Sequence, residues 1–232
     1  MTDTRESPLP PTADKARAVE DMFDRIAPRY DLLNRMLTLR MDVGWRRVAV
    51  RSLRLPAGSA VLDLACGTGD LCRALAAAGY NPIGADFSAG MLAAAHTDSP
   101  LVRADATRLP FGDHSLAGIT CGFALRNFVE LTPVLEECAR VLRPHARIAL
   151  LDVNEPTSAP ARAVHGFWFR RVVPFVGGLV SDRQAYAYLP ASTVYLPPRA
   201  ELLDLVRRAG FTDVAHRSLG AGAAQLITGA RA

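Results

Sequence analysis

Apolar residues along this chain change their spacing, and each change marks an element. From residue 14 the spacing is helical, with Val19, Met22, Phe23 and Ile26 on one stripe. Pro28 is expected to end or kink that helix near Ala27. A second helical pattern covers 29–39 through Tyr30, Leu33 and Leu37, and a third surrounds Trp45, Arg46 and Arg47. Beyond residue 55, short apolar runs at 60–65, 81–87, 101–106, 116–123 and 147–153 read as strands. Helical stretches lie between them at 71–78, 89–96 and 131–142, the second with Ser88 as its N-cap. This alternation predicts a doubly wound, mostly parallel α/β sheet with ligands at the carboxyl ends of its strands. Asp63, Asp86, Asp105 and Asp152 all fall at such ends.

From Pro156 to Pro198 the alternation breaks. Residues 161–180 are apolar, aromatic and basic, with Phe167, Trp168, Phe169, Phe175 and the pair Arg170-Arg171. They read as a lid or substrate wall, or as a helix pair covering the sheet. A last helix at 201–209 precedes two closing strands, 213–218 and 223–228, which should form an antiparallel edge. Residues 1–12 read as a disordered tail. The rest, 13–232, is one domain with a helical cap at 13–55 and the insertion at 156–198.

The stretch AVLDLACGTGD, residues 60–70, carries the most chemistry. It is a strand, a glycine turn and a helix start, which opens backbone amides to a ligand. A dinucleotide fingerprint needs a third glycine where Cys72 stands, and a phosphate-binding Walker loop needs lysine where Asp70 stands. Acids before and after the loop suit a ligand with positive charge, which points to S-adenosylmethionine. Asp86, at the end of the second strand, sits where an acid reads ribose hydroxyls.

Composition changes this picture little. With 232 residues, half of them hydrophobic, the chain can bury a sizeable core. No apolar run reaches the roughly 18–20 residues of a membrane span, and the charged, proline-containing start has no signal-peptide core. A cytoplasmic protein is the expectation. Cys66, Cys72, Cys121 and Cys138 form no C-x-x-C pair and read as reduced core thiols, and no histidine pair has zinc spacing, so no metal is proposed. The net charge of +4 comes almost wholly from arginine, Lys15 being the only lysine. Without a basic run interleaved with aromatics, nucleic-acid binding is not expected.

Several motifs together resemble the ubiquinone/menaquinone C-methyltransferase family of class I S-adenosylmethionine-dependent enzymes. They are MFDRIAPRYDLLN at 22–34, VLDLACGTGD at 61–70, GADFSAGML at 84–92, ADATRLPF at 104–111, FALRNF at 123–128 and YAYLPAS at 186–192. The resemblance covers nearly the whole chain and implies the Rossmann-like sheet of class I methyltransferases. It also implies demethylmenaquinol, or a similar quinol, as methyl acceptor. By position, Thr68, Asp86 and Phe87 match cofactor contacts, with Asp105 and Ala106 at the adenine. Gly122 matches a contact position that is often serine, and Asp63, Gly67 and Gly69 complete the loop. Departures are Ala65 for a glycine, Ala124 inside F-G-L-R-N, Pro144-His145-Ala146 for P-G-G, and Ile227 for a histidine. They leave open a different phenolic or polycyclic acceptor, and a cofactor-binding protein without turnover is a third reading.

A quinol carbon attacks well when the neighbouring hydroxyl is ionised. Arg126 is the expected stabiliser of that oxyanion, and Asn127 is expected to orient the ring. Asp152, Tyr188 and Asp31 are the candidate proton acceptors, in that order. The N-terminal helices are expected to close over the cofactor, with Phe23 and Tyr30 against the sulfonium or adenine. Residues 161–180 are expected to touch the inner face of the plasma membrane through their arginines. The sequence does not reveal the oligomeric state; a homodimer is one assembly it allows.

Overall fold

A computed structural model describes residues 14–154 and 192–232, with Pro156 and Gly166. The expected tail at 1–12, the 161–180 segment apart from Gly166, Tyr186 and Tyr188 lie outside the described residues. Three helices come first: α1 (Lys15–Ile26), α2 (Tyr30–Leu37) and α3 (Met41–Ser52). Pro28 ends α1 as expected, but the break is only a 3-10 turn, Ala27–Arg29, because proline at the start of a helical turn has no amide to lose.

Alternation then follows: β1 (Ala60–Leu64), α4 (Asp70–Ala77), β2 (Asn81–Asp86), α5 (Ala89–Ala93) and β3 (Leu101–Arg103). The second half holds β4 (Leu116–Gly122), α6 (Leu131–Val141), β5 (Leu142–Val153), α7 (Arg199–Arg208), β6 (Phe211–Leu219) and β7 (Ala224–Arg231). The seven strands line up as β3-β2-β1-β4-β5-β7-β6. All neighbours pair in parallel except β7, which runs antiparallel to both β5 and β6. The antiparallel pair expected at this edge is present, and its inner member is the last strand of the chain.

Two elements are shorter than their patterns predict, each for a local reason. β3 stops at Arg103, because the Asp105 carboxylate accepts from the Thr107 amide at 2.8 Å and turns the chain. α5 stops at Ala93, and the His96 amide bonds instead to the Thr68 carbonyl at 3.1 Å. Ser88 is the N-cap of α5, its hydroxyl accepting from the Met91 amide at 3.0 Å.

Core residues lie on both faces of the sheet, since alternate side chains of a strand point to opposite sides. Leu62, Ile119, Leu135 and Leu202 pack on one face, and Val50, Val61, Leu75 and Leu226 on the other. A third, smaller cluster joins Met22 and Ile26 of α1 to Met91 of α5. The switch in strand order between β1 and β4 opens a crevice at their carboxyl ends. The helical cap sits over it.

Gly220 shows how closely the cap is fitted. It has φ +55°, and an added Cβ would meet the Trp45 indole of α3 at 2.5 Å. The ring is rigid, so Gly220→Ala is expected to cost about 1–3 kcal/mol. A urea titration that finds no loss would contradict this packing.

Candidate active site

The loop after β1 takes its shape from three left-handed residues: Ala65 (φ 54°), Gly67 (φ 54°) and Gly69 (φ 86°). At Ala65, where the related family commonly has glycine, this costs about 1 kcal/mol. The Gly67 amide donates to Asp86 Oδ2 at 2.7 Å, and the Ser88 amide donates to Asp86 Oδ1 at 2.9 Å. Burial pushes the Asp86 carboxyl up, and the amides of Ser88, Gly67 and Phe87 oppose that shift. Each carboxylate oxygen accepts more than one hydrogen bond, so Asp86 keeps capacity for a ligand's hydroxyls.

A largely apolar cavity of about 360 Å³ lies beside this loop. Gly67, Asp86, Phe87, Asp105, Ala106, Gly122, Asn127, Phe23 and Tyr30 all line it. Phe23 and Tyr30 meet edge to face, their centroids 5.9 Å apart. Asp105 accepts from the amide and the hydroxyl of Thr107, both at 2.8 Å and both on Oδ1. At Gly122 a Cβ would come within 2.7 Å of Leu71 Cδ1, so Leu71 fills the space that a serine would take.

Other residues expected at the site stand behind its wall. Asp63 is 1% exposed and accepts from the Thr120 hydroxyl at 3.0 Å and the Cys72 thiol at 3.5 Å. Burial pushes its carboxyl up to about 7, the bonds from Thr120 and Cys72 opposing. Gly69 opens α4 rather than lining the cavity. Thr68 is buried, and its hydroxyl donates to Asp31 of α2. Of the four acids expected at strand ends, then, Asp86 and Asp105 line the cavity, while Asp63 and Asp152 do not.

Arg126 and Asp152 depart from the roles expected of them. Arg126 Nη1 meets Asp152 Oδ1 at 2.5 Å and the Phe123 carbonyl at 2.8 Å, and Nε donates to Ser192 at 3.2 Å. Neither Arg126 nor Asp152 lines the cavity, and their side chains are 6% and 0% exposed. The guanidinium is spent on a buried carboxylate, so it is not held ready for a substrate oxyanion. Instead the pair holds Phe123, a bulky residue in the left-handed region at φ 62°. Asp31, the third proton acceptor considered, is likewise committed to Thr68, Arg35 and Arg73.

The docking residues of the cap were missed by pattern reading. Asp24 of α1 accepts from the Gly90 amide at 2.9 Å and from the Ser88 hydroxyl, at the start of α5. Glu20 pairs with Arg103 at 2.7 Å. Lys15 donates to the Phe128 carbonyl at 2.6 Å and lies 3.9 Å from the Tyr195 ring centroid; burial pushes its ammonium down to about 8. On a helical pattern these positions read as the solvated face, and nothing local in the sequence marks their partners.

A glycine loop braced by a strand-end acid, with a second acid beside it and aromatic cover, defines an S-adenosylmethionine-dependent methyltransferase of the class I fold. The ubiE/COQ5 methyltransferase family profile matches residues 11–231, and the chain belongs to that family. It is 40% identical over 231 residues to the demethylmenaquinone methyltransferase of Roseiflexus sp. (strain RS-1), covering 95% of this chain and 96% of that one. To the ubiquinone/menaquinone biosynthesis C-methyltransferase UbiE of Geobacter sulfurreducens it is 39% identical, covering 93% and 89%. Among solved structures, an S-adenosylmethionine-dependent methyltransferase from Thermotoga maritima has the same fold, with a TM-score of 0.66 at 20% identity, over 92% of this chain and 100% of that one.

Removing Arg126 strands the Asp152 charge in the interior. Arg126→Ala is expected to cost about 3–5 kcal/mol in urea unfolding. The neutral pair Arg126→Met with Asp152→Asn should recover most of it, since it leaves no buried charge and the asparagine oxygen still accepts from the Val153 amide.

Asp63 sets a pH dependence. Its folded pKa of about 7 lies above the unfolded value, so the native state binds the extra proton between about pH 4 and pH 7. That contribution to stability is complete below about pH 4 and lost as pH rises through 7. Asp63→Asn should therefore gain stability over the parent protein across this window and hold a constant difference above it, measured by thermal melts from pH 4 to 8.

Proposed function

We propose that this chain transfers a methyl group from S-adenosylmethionine to a ring carbon of demethylmenaquinol. The observation that carries the reading is full-length similarity, at 40% identity, to a protein named demethylmenaquinone methyltransferase. The bound cofactor supplies an electrophilic methyl group, and the chain's own residues mainly align the reactants. Asp86 holds the ribose hydroxyls, Asp105 and the Ala106 amide hold the adenine, and the Gly67–Gly69 turn cradles the remainder. Phe23 and Tyr30 offer ring faces to the cationic sulfur.

Asn127 lines the cavity and is the residue assigned to orient the quinol ring. Arg126 acts through the Phe123–Asn127 turn that it braces, as a positioning residue. With Asp152 and Asp31 both paired to arginines, Tyr188 is the proton acceptor that this reading retains. A prenyl tail places the reaction at the cytoplasmic face of the membrane, with residues 161–180 as the contact. No helix among the described residues is long and apolar enough to cross a membrane. The assembly is taken to be a homodimer, with no nucleic-acid partner and no metal in the chemistry.

Ala124 favours a second reading. It lines the cavity where the family usually has glycine, and so narrows the acceptor side by a methyl group. A different phenolic or polycyclic acceptor fits that change.

Mass spectrometry of a reaction with S-adenosylmethionine and a short-chain demethylmenaquinone, with and without reductant, separates the readings. One methyl gained only under reductant is expected, because only the quinol can ionise. Cofactor binding with no methylated quinone would move the assignment to the second reading.

A further inference from the structure

Six charged side chains join the cap to the helix that follows the glycine loop. Asp31 and Arg35 come from α2, Asp42 and Arg46 from α3, and Asp70 and Arg73 from α4. Asp31 pairs with Arg35 at 3.7 Å and with Arg73 at 3.5 Å. Asp70 pairs with Arg35 at 3.4 Å, with Arg46 at 3.3 Å and with Arg73; Arg46 also pairs with Asp42. Three carboxylates balance three guanidiniums. Such partly buried charges are screened little by salt.

Two members, Asp31 and Arg73, reach the loop itself at Thr68. Thr68 donates its only hydroxyl proton to Asp31, and its carbonyl accepts from the His96 amide at 3.1 Å and Arg73 at 3.2 Å. Asp31 follows Tyr30 and Thr68 follows Gly67, and Tyr30 and Gly67 both line the cavity. The Asp31–Thr68 bond therefore joins the chain neighbours of two residues that line the cavity. Asp86 and Asp105 take the nucleoside, which leaves the loop end for the part of the cofactor that carries charge.

We propose that Asp31 is a positioning residue for the cofactor, holding the glycine loop through Thr68 and setting a charge balance that favours S-adenosylmethionine over its demethylated product. The inference rests on the cofactor reading above. S-Adenosylmethionine carries a sulfonium that S-adenosylhomocysteine lacks, and so has one more positive charge. Removing the Asp31 charge leaves the cluster with excess guanidinium, which opposes the cation more than the product.

Calorimetric titration with each of the two ligands tests this. Asp31→Asn is expected to weaken S-adenosylmethionine about tenfold and S-adenosylhomocysteine about two- to threefold. Thr68→Val keeps every charge and should weaken both alike. Arg35→Gln, at a partly exposed position, removes a cation from the same cluster. It should raise the preference for S-adenosylmethionine. Equal losses for both ligands in Asp31→Asn, or an unchanged preference in Arg35→Gln, would overturn the proposal. An unaltered protein that binds neither ligand would overturn the cofactor reading beneath it.

Discussion

The bond from the Gly67 amide to the Asp86 carboxylate ties together the two strands on which the site is built. β1 ends in a loop with three residues in the left-handed region, and such a loop keeps its shape only when held from outside. Asp86 holds it at Gly67 and, through its other oxygen, fixes the start of α5 at the Ser88 amide. Ser88 in turn caps α5 and binds Asp24 of the cap. A single partly buried carboxylate thus links the loop, the neighbouring helix and the cover above them. The cavity is the space those three parts enclose.

The cap is held in two ways. Apolar contacts among Met22, Ile26 and Met91 give it affinity for the domain. Charged contacts give it position: Glu20 to Arg103, Asp24 to the start of α5, Lys15 to the Phe128 carbonyl, Asp31 to Thr68. Burial alone does not fix orientation, because it depends on area and not direction. Hydrogen bonds and ion pairs do. Arg126 and Asp152 serve the same end after β4, where they hold the strained Phe123 turn by neutralising each other in the interior.

The sheet and the ligand end of the site were legible because their signals are local. Parallel strands buried on both faces leave continuous apolar runs, so β1, β2, β4 and β5 could be read directly. The glycine turn and Asp86 were legible for a related reason, since positive φ and a strand-end acid each demand particular residue types. Phe23 and Tyr30 were legible as apolar stripe positions, but their edge-to-face meeting at the cavity comes from the fold.

The sequence by itself determined the order of elements, the α/β class and two of the acids that line the cavity, Asp86 and Asp105, because apolar period and turn chemistry act over a few residues. Tertiary structure alone decided which charged groups are spent on one another. Arg126 looked like an available cation until the fold placed Asp152 beside it, 26 residues away in the chain. Asp31 looked like an available base until Thr68, 37 residues on, donated to it. A charge acts according to its nearest partners in space, and for these residues the partners come from elements that only folding brings together.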